Sequence, residues 1–315
     1  MNQELFFETM EEGVREALSE TYEAVEVKLQ SVTKNNNVTL CGLSATIDDN
    51  NASPLLYLND YFKRYQQGEP VESLIRQAVS FFESHKDRTP QVQNLDISFE
   101  AIEDNLRVRL VNIQSNRELL RNTPHLEVEG GFALTPYFNL PQEVIPHGMI
   151  QVRKNMLETI GCDERQLMQA AIQGSVRHDK AVLHSMTDVL FPGSASNYLE
   201  TEGPLTEKIP MLVLSNAERS LGAAALFYPG IQEKIADLVG GDYFVLPSSI
   251  HEVIILPDDG YLDPKTLAGM VSEVNKTQVS PEERLGDKVL HYRADLERLN
   301  VAVDLDREQG IGKDR

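Results

Sequence analysis

Residues 240–257 read Gly240-Gly241-Asp242-Tyr243-Phe244-Val245-Leu246-Pro247-Ser248-Ser249-Ile250-His251-Glu252-Val253-Ile254-Ile255-Leu256-Pro257. Two apolar runs rich in aromatic and β-branched residues, 243–246 and 253–256, flank a polar turn, which is the pattern of two neighbouring strands. Asp263 then caps a helix that Pro264 starts, with Leu267, Met270, Val271 and Val274 as its apolar stripe. Upstream, residues 211–214 read as a strand and 222–228 as its partner. Pro229-Gly230 breaks into a helix that carries Ile231, Ile235, Leu238 and Val239 on one face. Strands joined by short turns pair antiparallel, so the fold class is α+β, built from strand-turn-strand-helix units.

The same order occurs earlier. Gly130-Gly131 precedes an apolar run through Tyr137, 149–152 is a second strand, and Asp163 to Gln166 is a capping box for a short helix through Ile172. The string Asp179-Lys180-Ala181-Val182-Leu183-His184 parallels Asp287-Lys288-Val289-Leu290-His291. Internal duplication and chance similarity both stay open. Before Gly130, the alternation Leu106-Arg107-Val108-Arg109-Leu110-Val111 reads as a half-buried strand.

Nearer the N-terminus, Phe6, Met10, Val14, Ala17 and Leu18 mark a helix over 3–19. A hairpin turning at Asn35-Asn36-Asn37 follows, then a helix starting at Pro70 with Val71, Leu74, Ile75, Ala78, Val79 and Phe82 as its stripe. Polar residues 85–95 read as a linker, and the Ser/Gly/Pro-rich stretch 191–209 as a second linker or a long loop. The expected organisation is an N-terminal region at 1–95, a middle unit at 98–202, a C-terminal unit at 203–304 and a frayed tail at 305–315.

The 49 acidic residues outnumber the 29 basic ones, for a net charge of -20. That balance argues against direct nucleic-acid binding, which needs clustered cations, and leaves an acidic nucleic-acid mimic as one alternative. No apolar run is long enough to span a bilayer, and the N-terminus is acidic where a secretion signal is basic, so no membrane role and a cytoplasmic location are expected. Cys41 and Cys162 are expected as free, buried thiols.

Catalytic and cofactor signatures are missing, and no cofactor is expected. No dinucleotide or nucleophile-elbow motif is present, and Gly310-Ile311-Gly312-Lys313 is a tail fragment without the strand that a phosphate loop needs. His251-Glu252 lacks the second histidine of a zinc helix, and His178 and His184, read on one strand face, share it with Lys180, so no metal site is assigned. One polar constellation remains: Ser248, Ser249, His251 and Glu252 in a turn, Asn275, Thr277 and Gln278 at a helix end, and Ser215-Asn216 in a turn after a strand. Clustered uncharged donors suit a protein partner or a small polar ligand, or else satisfy backbone groups at turns. The first alternative function is a hydrolase using Ser248 or Ser249 with His251 and an acid such as Asp242 or Glu252.

These residues also carry a resemblance. The runs Leu214-Ser215-Asn216, Gly222 to Gly230, Phe244 to Val253 and Glu273 to Val279 resemble an uncharacterised bacterial family common in clostridial-type genomes. So do Val108 to Asn112, Asn116, Leu119-Leu120 and Pro124-His125. The resemblance implies a bacterial intracellular protein in an accessory role, and it supplies no activity.

Overall fold

The computed structural model describes residues 1–48, 53–86, 95–141, 148–191, 196–207 and 209–306. Most of the linker at 85–95, part of that at 191–209, the tail from 307 and the Gly310 to Lys313 fragment lie outside them. The chain divides into two compact units: Met1–Asp96 with Leu140–Gly148, and Ile97–Asn139 with Met149–Arg315.

The first unit contains α1 (Gln3–Ser19), β1 (Val25–Thr33), β2 (Thr39–Ile47), β3 (Leu55–Tyr57), α2 (Leu58–Gln66) and α3 (Val71–His85). Its three strands form an antiparallel sheet in the order β1-β2-β3. The expected helical faces meet: Phe6, Met10, Val14 and Leu18 of α1 pack with Leu74, Ala78 and Phe82 of α3 over Leu43, Ala45 and Ile47. Asn36 and Asn37 turn the hairpin with positive φ, which asparagine tolerates better than most residues. Cys41 is half-buried rather than buried, as is Cys162 in the second unit, and burial raises both thiols above the ordinary cysteine pKa.

The second unit opens with α4 (Phe99–Ile102), β4 (Leu106–Asn112), α5 (Arg117–Asn122), β5 (Leu126–Val128), β6 (Phe132–Asn139), β7 (Met149–Gln151), α6 (Leu157–Ile160) and α7 (Glu164–His178). It continues with β8 (Ala181–Ser185), α8 (Met186–Leu190), β9 (Leu212–Asn216), α9 (Ile231–Val239), β10 (Tyr243–Leu246), β11 (Val253–Pro257), α10 (Pro264–Thr277), β12 (Lys288–Arg293) and β13 (Arg298–Asp304). The fold is α+β with antiparallel sheets. One sheet has β6 at its centre, β4 along one side, and β5 and β7 end to end along the other. The other has the order β13-β12-β10-β11-β9-β8, so β8 shares a sheet with strands of the last hundred residues. In the paired strings, β12 lies against β10, whereas β8 lies against β9 and not against β6.

Several local expectations change. Residues 222–227 form a 3-10 helix rather than a strand: β11 and β8 already occupy both edges of β9, so no edge is left for a partner there. Helix α7 runs on through His178, so His178 is helical and shares no strand face with His184. Asp163 caps α7 through the Gln166 amide at 2.7 Å, and Asp263 caps α10 through that of Thr266 at 3.0 Å. The buried face of α10 is Leu267, Ala268, Val271, Ser272 and Asn275, leaving Met270 and Val274 exposed. Helix α7 also covers the free edge of β4. Gly174 lies against the Leu106 carbonyl, where a Cβ would collide, and Ser175 Oγ accepts the Val108 amide at 2.9 Å. Asn197 similarly plugs the edge of β8, accepting from Leu183 N and donating to Ala181 O. Such covers keep open strand edges from pairing with other chains.

Candidate functional site

The turns after β9 and β10 come together in the second unit. Ser215 and Asn216 are the last residues of β9, buried, rather than part of the turn after it. Ser215 Oγ donates to the His251 carbonyl at 2.8 Å. Asn216 brackets the next turn, donating to Ser220 O at 2.8 Å and accepting from Ser220 N at 3.1 Å. The Leu221 amide donates to His251 Nδ1 at 3.2 Å, and Ala223 N to Ile250 O at 3.2 Å. Gly222 stands where a Cβ would collide with Ser215 Oγ and the Asn216 amide nitrogen, and would lie 2.7 Å from the His251 carbonyl.

From the other side, Ile250 N donates to Glu283 O at 2.8 Å and Leu285 N to Ser248 O at 3.1 Å. Residues 247–252 are thus held by backbone bonds on two flanks, outside β11, which starts at Val253. Ser248, Ser249, His251 and Glu252 stay partly exposed on this stapled turn.

The hydrogen bonds define the chemistry of His251. Because a backbone N–H can only donate, Nδ1 is an acceptor, and the neutral ring carries its proton on Nε2. Nε2 faces Glu283 Oε1 at 3.4 Å. Ser249 Oγ accepts the His251 amide at 3.1 Å. Among the described residues neither Ser248 nor Ser249 hydrogen-bonds the imidazole.

The other predicted residues divide. Asn275 is buried on α10, donating to Asp287 Oδ1 at 2.7 Å and to Gly286 O at 3.2 Å, beside the 2.6 Å bond from Ser272 Oγ to Asp287 Oδ2. Its Oδ1 is buried with no partner among the described residues. Thr277 bonds its own helix at Glu273 O, and Gln278 is the C-cap. Among the described residues no hydrogen bond joins these directly to the 247–252 turn. Residues 283–287 stand between, bonding Ser248 and Ile250 on one side and Asn275 on the other.

Sequence patterning missed a buried polar layer on β4 and β6. Arg107 is 6% exposed and pairs with Asp179 at 3.1 Å, while donating to the Asp104 and Leu106 carbonyls. Burial raises the Asp179 carboxyl above its ordinary pKa, opposed by Arg107. Tyr228 packs into this layer with its phenol pushed up to about 12 by burial, partly offset by a hydrogen bond from Ser175. Alternation identifies two faces of a strand but not which are covered; the sequence signal was the length of α7, whose C-cap is Asp179. Two surface hollows lie elsewhere. One of about 470 Å³ involves Phe7, Leu29 and Cys41; the other, of about 620 Å³, involves His125, Met168, Ile172 and Pro229.

A family model described as a family of unknown function, DUF5688, matches residues 3–294, nearly the whole chain. The chain belongs to the DUF5688 family. The match runs through β9, the His251 turn and α10, and also through the buried layer of β4 and β6. No curated protein and no solved structure matches the chain. Among the described residues of this DUF5688 protein, no helix is long and apolar enough to cross a membrane.

Proposed function

We propose that this DUF5688 protein is a non-enzymatic binding or accessory protein of the bacterial cytoplasm. It recognises a protein or small polar ligand through the His251 turn. The observation that carries this reading is the state of His251: both ring nitrogens face protein groups, so neither serine has a base to activate it. The partly exposed Ser248, Ser249, His251 and Glu252 sit on a turn stapled from two sides, and a preordered turn loses little entropy when it binds. Ser215, Asn216 and Asn275 support the surface from beneath, while Thr277 and Gln278 lie beyond residues 283–287.

The test pairs Ser248→Ala with Glu252→Ala, since neither side chain makes a hydrogen bond among the described residues. The double variant is expected to melt like wild type and to lose the partner or ligand that wild type captures. A fluorophosphonate probe is expected to label neither Ser248 nor Ser249. Stoichiometric labelling at either serine, abolished by His251→Ala, would establish the hydrolase reading instead.

A further inference from the structure

The sheet face that carries Arg107 carries a second guanidinium one pair along. Arg107 stands opposite Tyr137, and Arg109 opposite Thr135. Arg107 has its carboxylate, Asp179. Arg109 donates from Nε to Thr135 Oγ1 at 3.4 Å and from Nη2 to Gln151 Oε1 at 2.7 Å, and both acceptors are neutral. Among the described residues no carboxylate pairs with it. Gln151 donates onward to Thr123 Oγ1 at 3.4 Å, and the Thr123 carbonyl meets His125 Nδ1 at 2.9 Å; a carboxylate enters this chain only at Glu164, which accepts the His125 amide at 3.2 Å and does not touch Arg109.

Tyr137 lies diagonal to Arg109 on β6, near enough for the two to interact electrostatically. It is only 5% exposed, and its hydroxyl makes no hydrogen bond among the described residues. Burial pulls the Arg109 guanidinium below the ordinary arginine range, as expected of a cation removed from water without a counter-charge. Arg109 is nevertheless partly exposed to solvent.

We propose that Arg109 binds an oxyanion, the carboxylate or phosphate group of a small ligand, with the Tyr137 hydroxyl as a second donor. Removing an unpaired charge from water is costly, and proteins ordinarily offset it with a partner, as this one does for Arg107. Two of the five guanidinium N–H groups are occupied, and the remaining planar fork matches a carboxylate or phosphate edge. A phenol that keeps its proton is a donor suited to the same anion. Burial holds the Tyr137 phenol well above its ordinary pKa.

Calorimetric titration and thermal melts of the full chain with inorganic phosphate and with acetate, against chloride at equal ionic strength, test the site. Wild type is expected to show saturable binding and a rising melting temperature with one of the two anions, which also identifies the anion class. Arg109→Gln is expected to weaken that binding roughly tenfold to a hundredfold, the range for losing a charged hydrogen-bond donor. Tyr137→Phe keeps the charge and the packing, and is expected to weaken binding severalfold while the protein stays folded. It serves as the decisive variant if Arg109→Gln fails to fold. A wild-type response no different from chloride, or undiminished binding in Arg109→Gln or Tyr137→Phe, would overturn the assignment.

Discussion

Replacing Gly222 with alanine adds one methyl group at the point where β9, the 222–227 helix and the His251 turn converge. That carbon would collide with Ser215 Oγ and the Asn216 amide nitrogen, and would lie 2.7 Å from the His251 carbonyl oxygen. Two of these three atoms are backbone, belonging to a buried strand and to a turn bonded on both flanks, so neither moves without breaking other bonds. Overpacking of this kind costs about 1–3 kcal/mol. Displacing Ser215 Oγ also breaks its bond to His251 O, worth a further ~0.5–1.5 kcal/mol. The combined loss is expected near the upper part of those ranges, about 3–4 kcal/mol. Gly269 provides the control: it lies on the exposed side of α10 with nothing near its missing Cβ. There alanine is expected to stabilise by about 0.5–1 kcal/mol through helix propensity. Urea denaturation of both variants, read as a midpoint shift at constant slope, separates the two effects. A Gly222→Ala loss below about 1 kcal/mol would refute the close packing described here.

Two further outcomes follow from the buried polar layer. Asp179→Ala is expected to cost about 3–5 kcal/mol in urea denaturation by stranding Arg107, and adding Arg107→Met should recover part of that loss; full additivity of the two changes would contradict a coupled pair. Stability is expected to fall above pH 10, because an unfolded tyrosine ionises near that pH while folded Tyr228 keeps its proton to about 12. Below pH 10 both states are protonated and the contribution is fully present. Across the window Tyr228 alone removes about 3 kcal/mol, and Tyr137 and Tyr243, also raised by burial, add to the loss. Denaturation midpoints unchanged between pH 9 and 11.5 would contradict the burial of these phenols.

The α+β class, the antiparallel pairing, the caps at Asp163 and Asp263 and the α1–α3 core were all legible in the sequence. Each depends on local periodicity or on one side chain reaching its own helix end. Three-dimensional neighbours decided the rest. The 222–227 segment is as apolar as a strand, but β11 and β8 already fill both edges of β9, so the chain coils into a 3-10 helix there. The buried face of α10 includes Ser272 and Asn275 because Asp287, beyond the helix end, accepts from the Ser272 hydroxyl and the Asn275 amide. Ser215, Ser249 and His251 were recognisable as a polar group, but their use in stapling turns depended on Leu221 and Glu283 arriving from either side. Arg107 and Arg109 alternate as a water-facing row would. The sequence by itself determined which residues share a face of β4. Only the tertiary structure decided that this face is buried, because burial depends on what packs above a strand, and alternation records only the pleat.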